Sequence, residues 1–140
     1  MKRAICISGG GSKGAYAVGI LKYYNSIGRQ YDIYTGSSTG ALIATLASSG
    51  NYSSLVDGYT SMTHKDIFTI SPFKIKKSKN GIFKYSINIW TSLYNTLIKR
   101  QVALGDNTVF REKTIPRFFT KKDYNNIILS NKELSISVSN

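Results

Sequence analysis

The sequence predicts an α/β layered fold built on a mainly parallel sheet, and three observations carry that expectation. The apolar run in "RAICIS", residues 3 to 8, stops at three glycines, and an apolar pattern of helical period follows. The same succession recurs at "YDIYT", residues 31 to 35, which alternates like a strand and gives way to "GSSTG" and the small-residue run "ALIATLA". Two strand-loop-helix units thus occupy the first 50 residues, and such units join parallel strands through right-handed crossovers.

Each element follows from its local pattern. "RAICIS" is apolar on both sides, as a strand buried in a parallel sheet should be, and Cys6 fits there as a small buried thiol. It is the only cysteine, which excludes an intrachain disulfide. "SKGAYAVGILKYYNSIG", residues 12 to 28, places Tyr16, Ile20, Tyr23, Tyr24 and Ile27 at helical spacing and closes on Gly28 as a C-cap. "YDIYTGSS" gives the second strand, and "TGALIATLASSG" a helix ending at Gly50.

The middle of the chain is less regular. "SSLVDGYTSM", residues 53 to 62, reads as a helix. "ISPFKIKKSKNGIFK", residues 70 to 84, carries proline, glycine and five lysines and reads as an exposed loop. "YSINIWTSLYNTLIKR", residues 85 to 100, puts Trp90, Leu93, Tyr94, Leu97 and Ile98 on one helical face, expected to pack on a core. One or two short helices are expected around Pro116, and "ELSISVSN", residues 133 to 140, alternates like a strand. A strand entering a sheet is an odd last element, so the expectation is a domain truncated or split before its end.

Length and composition bound the function. A chain of 140 residues supports one core, and 41% hydrophobic with 12% aromatic residues places it among folded domains rather than disordered ones. Nineteen Lys and Arg against seven Asp and Glu give a net charge of +12, which draws a protein toward nucleic acid or anionic lipid. The excess of Lys, Asn, Ile and Tyr is also what AT-rich coding produces without a partner. Only five apolar residues precede the glycines, too few for a signal-peptide core, and no stretch is long enough to span a membrane. A cytoplasmic protein, peripheral at membranes if it meets them, is the expectation.

Two motifs carry chemistry. "GSSTG", residues 36 to 40, matches G-x-S-x-G, the turn that points a serine Oγ out of the end of a sheet, and the strand before it and helix after it are the context it requires. "GGGSKG", residues 9 to 14, lies at the same kind of joint, where the N–H groups of Gly9, Gly10 and Gly11 can converge on a developing oxyanion. The same letters fit the dinucleotide fingerprint, but that needs an acid at the end of the second strand, and Asp32 stands at its beginning. A P-loop needs Lys-Ser or Lys-Thr where this chain has other residues. No His, Cys or carboxylate set has metal-ligand spacing, so neither metal nor cofactor is expected.

Together, "GGGSKGAYAVGIL" and "YDIYTGSSTGALIA" resemble the opening of the patatin-like phospholipases, over residues 4 to 48, and "ALGDNTVFREKTI", residues 103 to 115, is similar to a later segment of that family. The resemblance implies a three-layer fold around a mainly parallel sheet, of which residues 1–140 are the N-terminal part. It implies a lipid acyl hydrolase acting on phospholipids or other acyl esters through a Ser-Asp dyad without metal or cofactor. Ser38 takes the nucleophile's position, Gly9, Gly10, Gly11 and Thr39 those of the oxyanion donors, and Lys13, Gly14, Gly36 and Gly40 the remaining motif positions.

The dyad acid is where the pattern breaks. The family's aspartate belongs to a D-G-[GA] motif far downstream, whereas the single "DG" here is Asp57-Gly58, nineteen residues past Ser38 in an expected helix. Asp57 is therefore a weak candidate, Asp106 reads as a turn or capping residue, and His64, the only histidine, follows Ser38 too closely for the usual Ser-acid-His order. A second chain or C-terminal segment would then complete the site. Two alternatives stay open: a catalytically silent subunit that uses the fold for binding, and a basic nucleic-acid-binding module, which leaves both glycine motifs unexplained.

Overall fold

A computed structural model describes residues 1–78, 80–94, 97 and 106–138. In chain order its elements are β1 (Ala4–Ile7), a 3-10 turn (Gly11–Lys13), α1 (Gly14–Ser26), β2 (Ile33–Ser37), α2 (Thr39–Ser48), α3 (Tyr52–Ser61) and α4 (His64–Ile67). They continue with β3 (Phe73–Lys77), β4 (Phe83–Ile87), α5 (Ile89–Leu93), a π-helical turn (Phe110–Thr114), α6 (Ile115–Phe118), α7 (Lys121–Leu129) and β5 (Glu133–Ser137). The chain divides into two units, one formed by Met1–Met62 with Phe118–Asn140 and the other by Thr63–Arg117.

The first unit is an α/β layer structure, as its strand-loop-helix pattern predicts. Its sheet has the order β1-β2-β5, all parallel, with Tyr34 at its centre opposite Ile5 on one side and Leu134 on the other. Helix α2 lies across all three strands. It can approach closely because its inner face is small: Ile43, Ala44 and Ala47 have no solvent exposure, and Gly40 and Ser48 are buried beside them. Burying Ile43 alone contributes about 2 kcal/mol of hydrophobic free energy. Val18 and Leu21 of α1 and Leu55 of α3 close the core over α2.

Two expectations about burial in this unit need correction. Cys6 is exposed rather than buried: Ile5 and Ile7 face the helices, and the alternation of the strand turns Ala4 and Cys6 to the other side of the sheet, where Glu133 and Ser135 are also exposed. On α1 the buried residues are Gly14, Val18 and Leu21, while Tyr16 is 79% exposed and Tyr23 and Ile27 lie in solvent too. The side of α1 without bulk is the one that fits against its neighbours. Gly28 does close the helix, at φ 70°.

In the second unit the stretch expected as a loop is a β-hairpin: β3 and β4 pair antiparallel from Phe73 opposite Ile87 to Lys77 opposite Phe83. The expected exposure holds, since all ten strand residues are exposed. Helix α5 does not present its apolar stripe to a core: Trp90 is 80% exposed, and Leu93, Tyr94 and Leu97 are exposed as well. Ile98, the last residue of that stripe, lies outside the described residues, as does 103–105 of the "ALGDNTVFREKTI" segment. No helix among the described residues is long and apolar enough to cross a membrane.

Candidate active site

The end of the central strand is where the backbone is unusual. Ser38 has φ 52° and ψ −127°, and among the described residues it is the only one other than glycine with positive φ. An L-residue held there is strained by about 1–3 kcal/mol, which the surrounding structure has to offset. The strand runs straight into α2 at this residue, and the turn is made in one step, so the Ser38 side chain stands exposed at the strand's end.

The glycines flanking Ser38 are there because backbone fills the space a side chain would need. A Cβ on Gly36 would collide with the carbonyl of Gly40 and come within 2.8 Å of Ala41 N. One on Gly40 would strike the Ile7 carbonyl oxygen and lie 2.8 Å from the Ser8 oxygen. Hence β1, β2 and the start of α2 touch through bare backbone.

The glycine loop is brought to the same place. A Cβ on Gly9 would lie 2.8 Å from Ser38 Cβ and 3.5 Å from Ser38 Oγ, so this loop passes directly against the serine. Gly11 takes φ 58° with open space around it. Within the described residues the N–H groups of Gly9, Gly10, Gly11 and Thr39 donate no hydrogen bond. The loop then closes through Lys13 N–H donating to Gly10 O at 3.1 Å and enters α1, whose N-terminus, like that of α2, lies at this end of the sheet. Lys13 is exposed at the end of the 3-10 turn.

A residue that the motifs do not contain links the two loops. Tyr59 of α3 places its hydroxyl where a Cβ of Gly14 would be, which is why α1 starts with glycine. Burial raises the Tyr59 hydroxyl above its ordinary pKa, with Thr39 acting in the opposite direction, yet the buried Thr39 Oγ1 finds no partner in hydrogen-bond geometry. Tyr59 thus stands between the first residues of the helices that follow the glycine loop and Ser38. Sequence spacing held no signal for it.

The acids of this unit are mostly engaged elsewhere. Asp32 accepts a 2.7 Å hydrogen bond from Arg3 N–H, Glu133 pairs with Lys2, and Asp123 is 3% exposed and accepts from Thr120 and from Asn51 Nδ2. Asp57 is exposed on α3, the setting expected of a solvated helix residue. Among the described residues of this unit no histidine or carboxylate hydrogen-bonds Ser38 Oγ. In the second unit His64 begins α4, with Nε2 2.9 Å from Ser71 Oγ, and Asp106 accepts from Thr108 N–H at 2.9 Å as a turn residue does.

Comparison with known families decides the assignment, since the model of the patatin-like phospholipases matches residues 5–135. The chain belongs to the patatin-like phospholipase family. No curated protein and no solved structure matches it. The match runs from β1 into β5, so it takes in both glycine motifs and extends well beyond the residues that first suggested the family. Patatin-like phospholipases are lipid acyl hydrolases, which gives the elbow at Ser38 a chemical context.

Proposed function

We propose that the chain is a serine-dependent lipid acyl hydrolase in which Ser38 is the nucleophile. The single observation that carries this is the strained backbone of Ser38, pressed against a glycine loop whose N–H groups are unpaired. Ser38 Oγ adds to the acyl carbonyl carbon and gives up its proton to a base. The carbonyl oxygen becomes an oxyanion that the N–H groups of Gly9, Gly10, Gly11 and Thr39 receive at the positive ends of two helices. The tetrahedral adduct expels the alcohol as it takes a proton, leaving acyl-Ser38, which water then hydrolyses.

The base is the open role. Asp57, the acid of the one D-G pair, is exposed on α3 and its carboxylate makes no hydrogen bond to Ser38 among the described residues, so a carboxylate from a second chain or a further segment is the source we favour. That gap supports a second reading, a catalytically silent patatin-like subunit that keeps the fold for binding.

Labelling with a fluorophosphonate probe and hydrolysis of acyl esters, each beside Ser38→Ala, separate the two. Labelling and turnover that vanish in Ser38→Ala support the hydrolase with its base in place. Labelling without turnover shows that Ser38 is activated and puts the defect in substrate binding or deacylation. No labelling means that no base serves Ser38, and failure of any added chain or segment to restore labelling supports the silent subunit.

A further inference from the structure

The hairpin β3-β4 sorts its side chains by chemistry. Cross-strand pairs Phe73 with Ile87, Ile75 with Tyr85 and Lys77 with Phe83 share one face, and Lys74 with Ser86 and Lys76 with Lys84 share the other. On the apolar face the one lysine, Lys77, folds its ammonium over the Phe83 ring, 5.8 Å from the centroid. A lone two-stranded hairpin is marginal in water, and an exposed apolar patch of this kind marks a contact surface. The cationic face carries its own imbalance, because Lys76 and Lys84 stand directly opposite each other and no acidic residue occurs between Asp66 and Asp106.

The geometry points to this hairpin as a docking surface for an anionic lipid bilayer. Its apolar face enters the headgroup-acyl boundary, and Lys74, Lys76 and Lys84 remain at the depth of the phosphates, as the two faces of an interfacial amphipathic element do. Nucleic acid fits less well, since single strands use aromatics and several cations together in one groove, and here only Lys77 shares the aromatic face. A second copy would have to approach against a net charge of +12 on each chain. The hairpin and Ser38 belong to different units, and vesicle binding and acyl-ester turnover are separate readouts, so each can fail while the other holds.

Trp90, three residues past β4 and the only tryptophan, is a built-in reporter. The full chain is mixed with phosphatidylcholine vesicles with and without phosphatidylserine, at low and high salt, and followed by co-sedimentation and Trp90 emission. Binding should require phosphatidylserine, weaken with salt and shift Trp90 emission to the blue. Lys74→Gln, Lys76→Gln and Lys84→Gln combined should weaken it on the order of a hundredfold, each lysine supplying about a fivefold gain near an anionic surface. Ile75→Ser with Tyr85→Ser should abolish the emission shift, with far-UV circular dichroism reporting that the chain stays folded.

Several outcomes would overturn the proposal. One is a chain that stays in the supernatant with phosphatidylserine vesicles, and another is a triple lysine variant that binds as the unaltered chain does. A dimer in buffer whose Trp90 emission is already blue-shifted would assign the face to a second copy. Tighter binding of an oligonucleotide than of the vesicles, with the same Trp90 response, would assign it to nucleic acid.

Discussion

The two units of this chain spend the same kinds of residue in opposite ways. Every hydrophobic side chain in the buried core falls in 1–62 or 118–140, whereas in 63–117 the aromatics and isoleucines of β3, β4 and α5 lie in solvent. Two capping boxes of the same design show the difference at the scale of a single turn. Thr63 with Asp66 and Thr120 with Asp123 make identical contacts, backbone N–H to Oδ2 at 2.7 Å and hydroxyl to Oδ2 at 2.6 Å. Only Asp123 is buried, and only it accepts a further bond from Asn51, 72 residues away. The first unit ties its box to a distant element through the buried carboxylate itself, whereas the second does so only through the Asp66 main-chain carbonyl, which accepts from Thr114 Oγ1 at 2.6 Å.

The largest expected effect is at the elbow. Ser38→Ala should remove all fluorophosphonate labelling, while the lysine substitutions in the hairpin leave labelling unchanged. A fall in labelling in the lysine variants would show that the units are not functionally separate.

Next comes the core, where Ile43→Ala should cost about 2–5 kcal/mol of stability by leaving a cavity under α2. Ile75→Ala on the exposed hairpin should stay within about 0.5 kcal/mol. Denaturant titrations of both variants test the contrast, and equal losses would show that the hairpin is packed in solution.

The capping boxes sharpen it further through pH. Burial pushes the Asp123 carboxyl up, but hydrogen bonds from the Thr120 hydroxyl and N–H and from Asn51 outweigh it and hold the pKa below the ordinary value. Asp66 is lowered too, chiefly by the Thr63 hydroxyl, on an exposed turn. With folded pKa values below the unfolded value of about 3.9, these contributions are whole above that pH and are lost as pH falls through the folded values. Asp123→Asn should cost about 1–3 kcal/mol at neutral pH and flatten the acid limb of the stability curve. Asp66→Asn should do much less of both.

The smallest effect is expected at Tyr59→Phe, which deletes only the hydroxyl between Gly14 and Thr39. Labelling of Ser38 should slow a few-fold with little change in thermal stability. Equal labelling rates would show that spacing of the two helix starts does not depend on that hydroxyl.

The first 50 residues were legible because their determinants are local: a strand-like run, glycines at a joint and a helix of small residues all lie within a dozen positions of one another. The hairpin was not, because lysines occupy alternate positions of "FKIKK" and made a strand of period two resemble a charged loop. The face of α1 was misplaced for a related reason. Tyrosines dominate an apolar count, but glycine, valine and leucine are what fit beneath a neighbouring helix. Tyr59 and Asp123 act across 45 and 72 positions, on Gly14 and Asn51, and no spacing rule reaches that far.

The solitary thiol of Cys6, outward on the uncovered side of the sheet, turns that surface into a chemical footprint. A maleimide should modify the isolated chain at one position and without unfolding it. Any polypeptide that came to lie over Ala4, Cys6 and Ser135 would slow that modification, whether a further segment or a separate subunit. The rate of one reaction therefore reports any covering of the sheet's side opposite α2, independently of whether the serine at the sheet's end ever turns over a substrate.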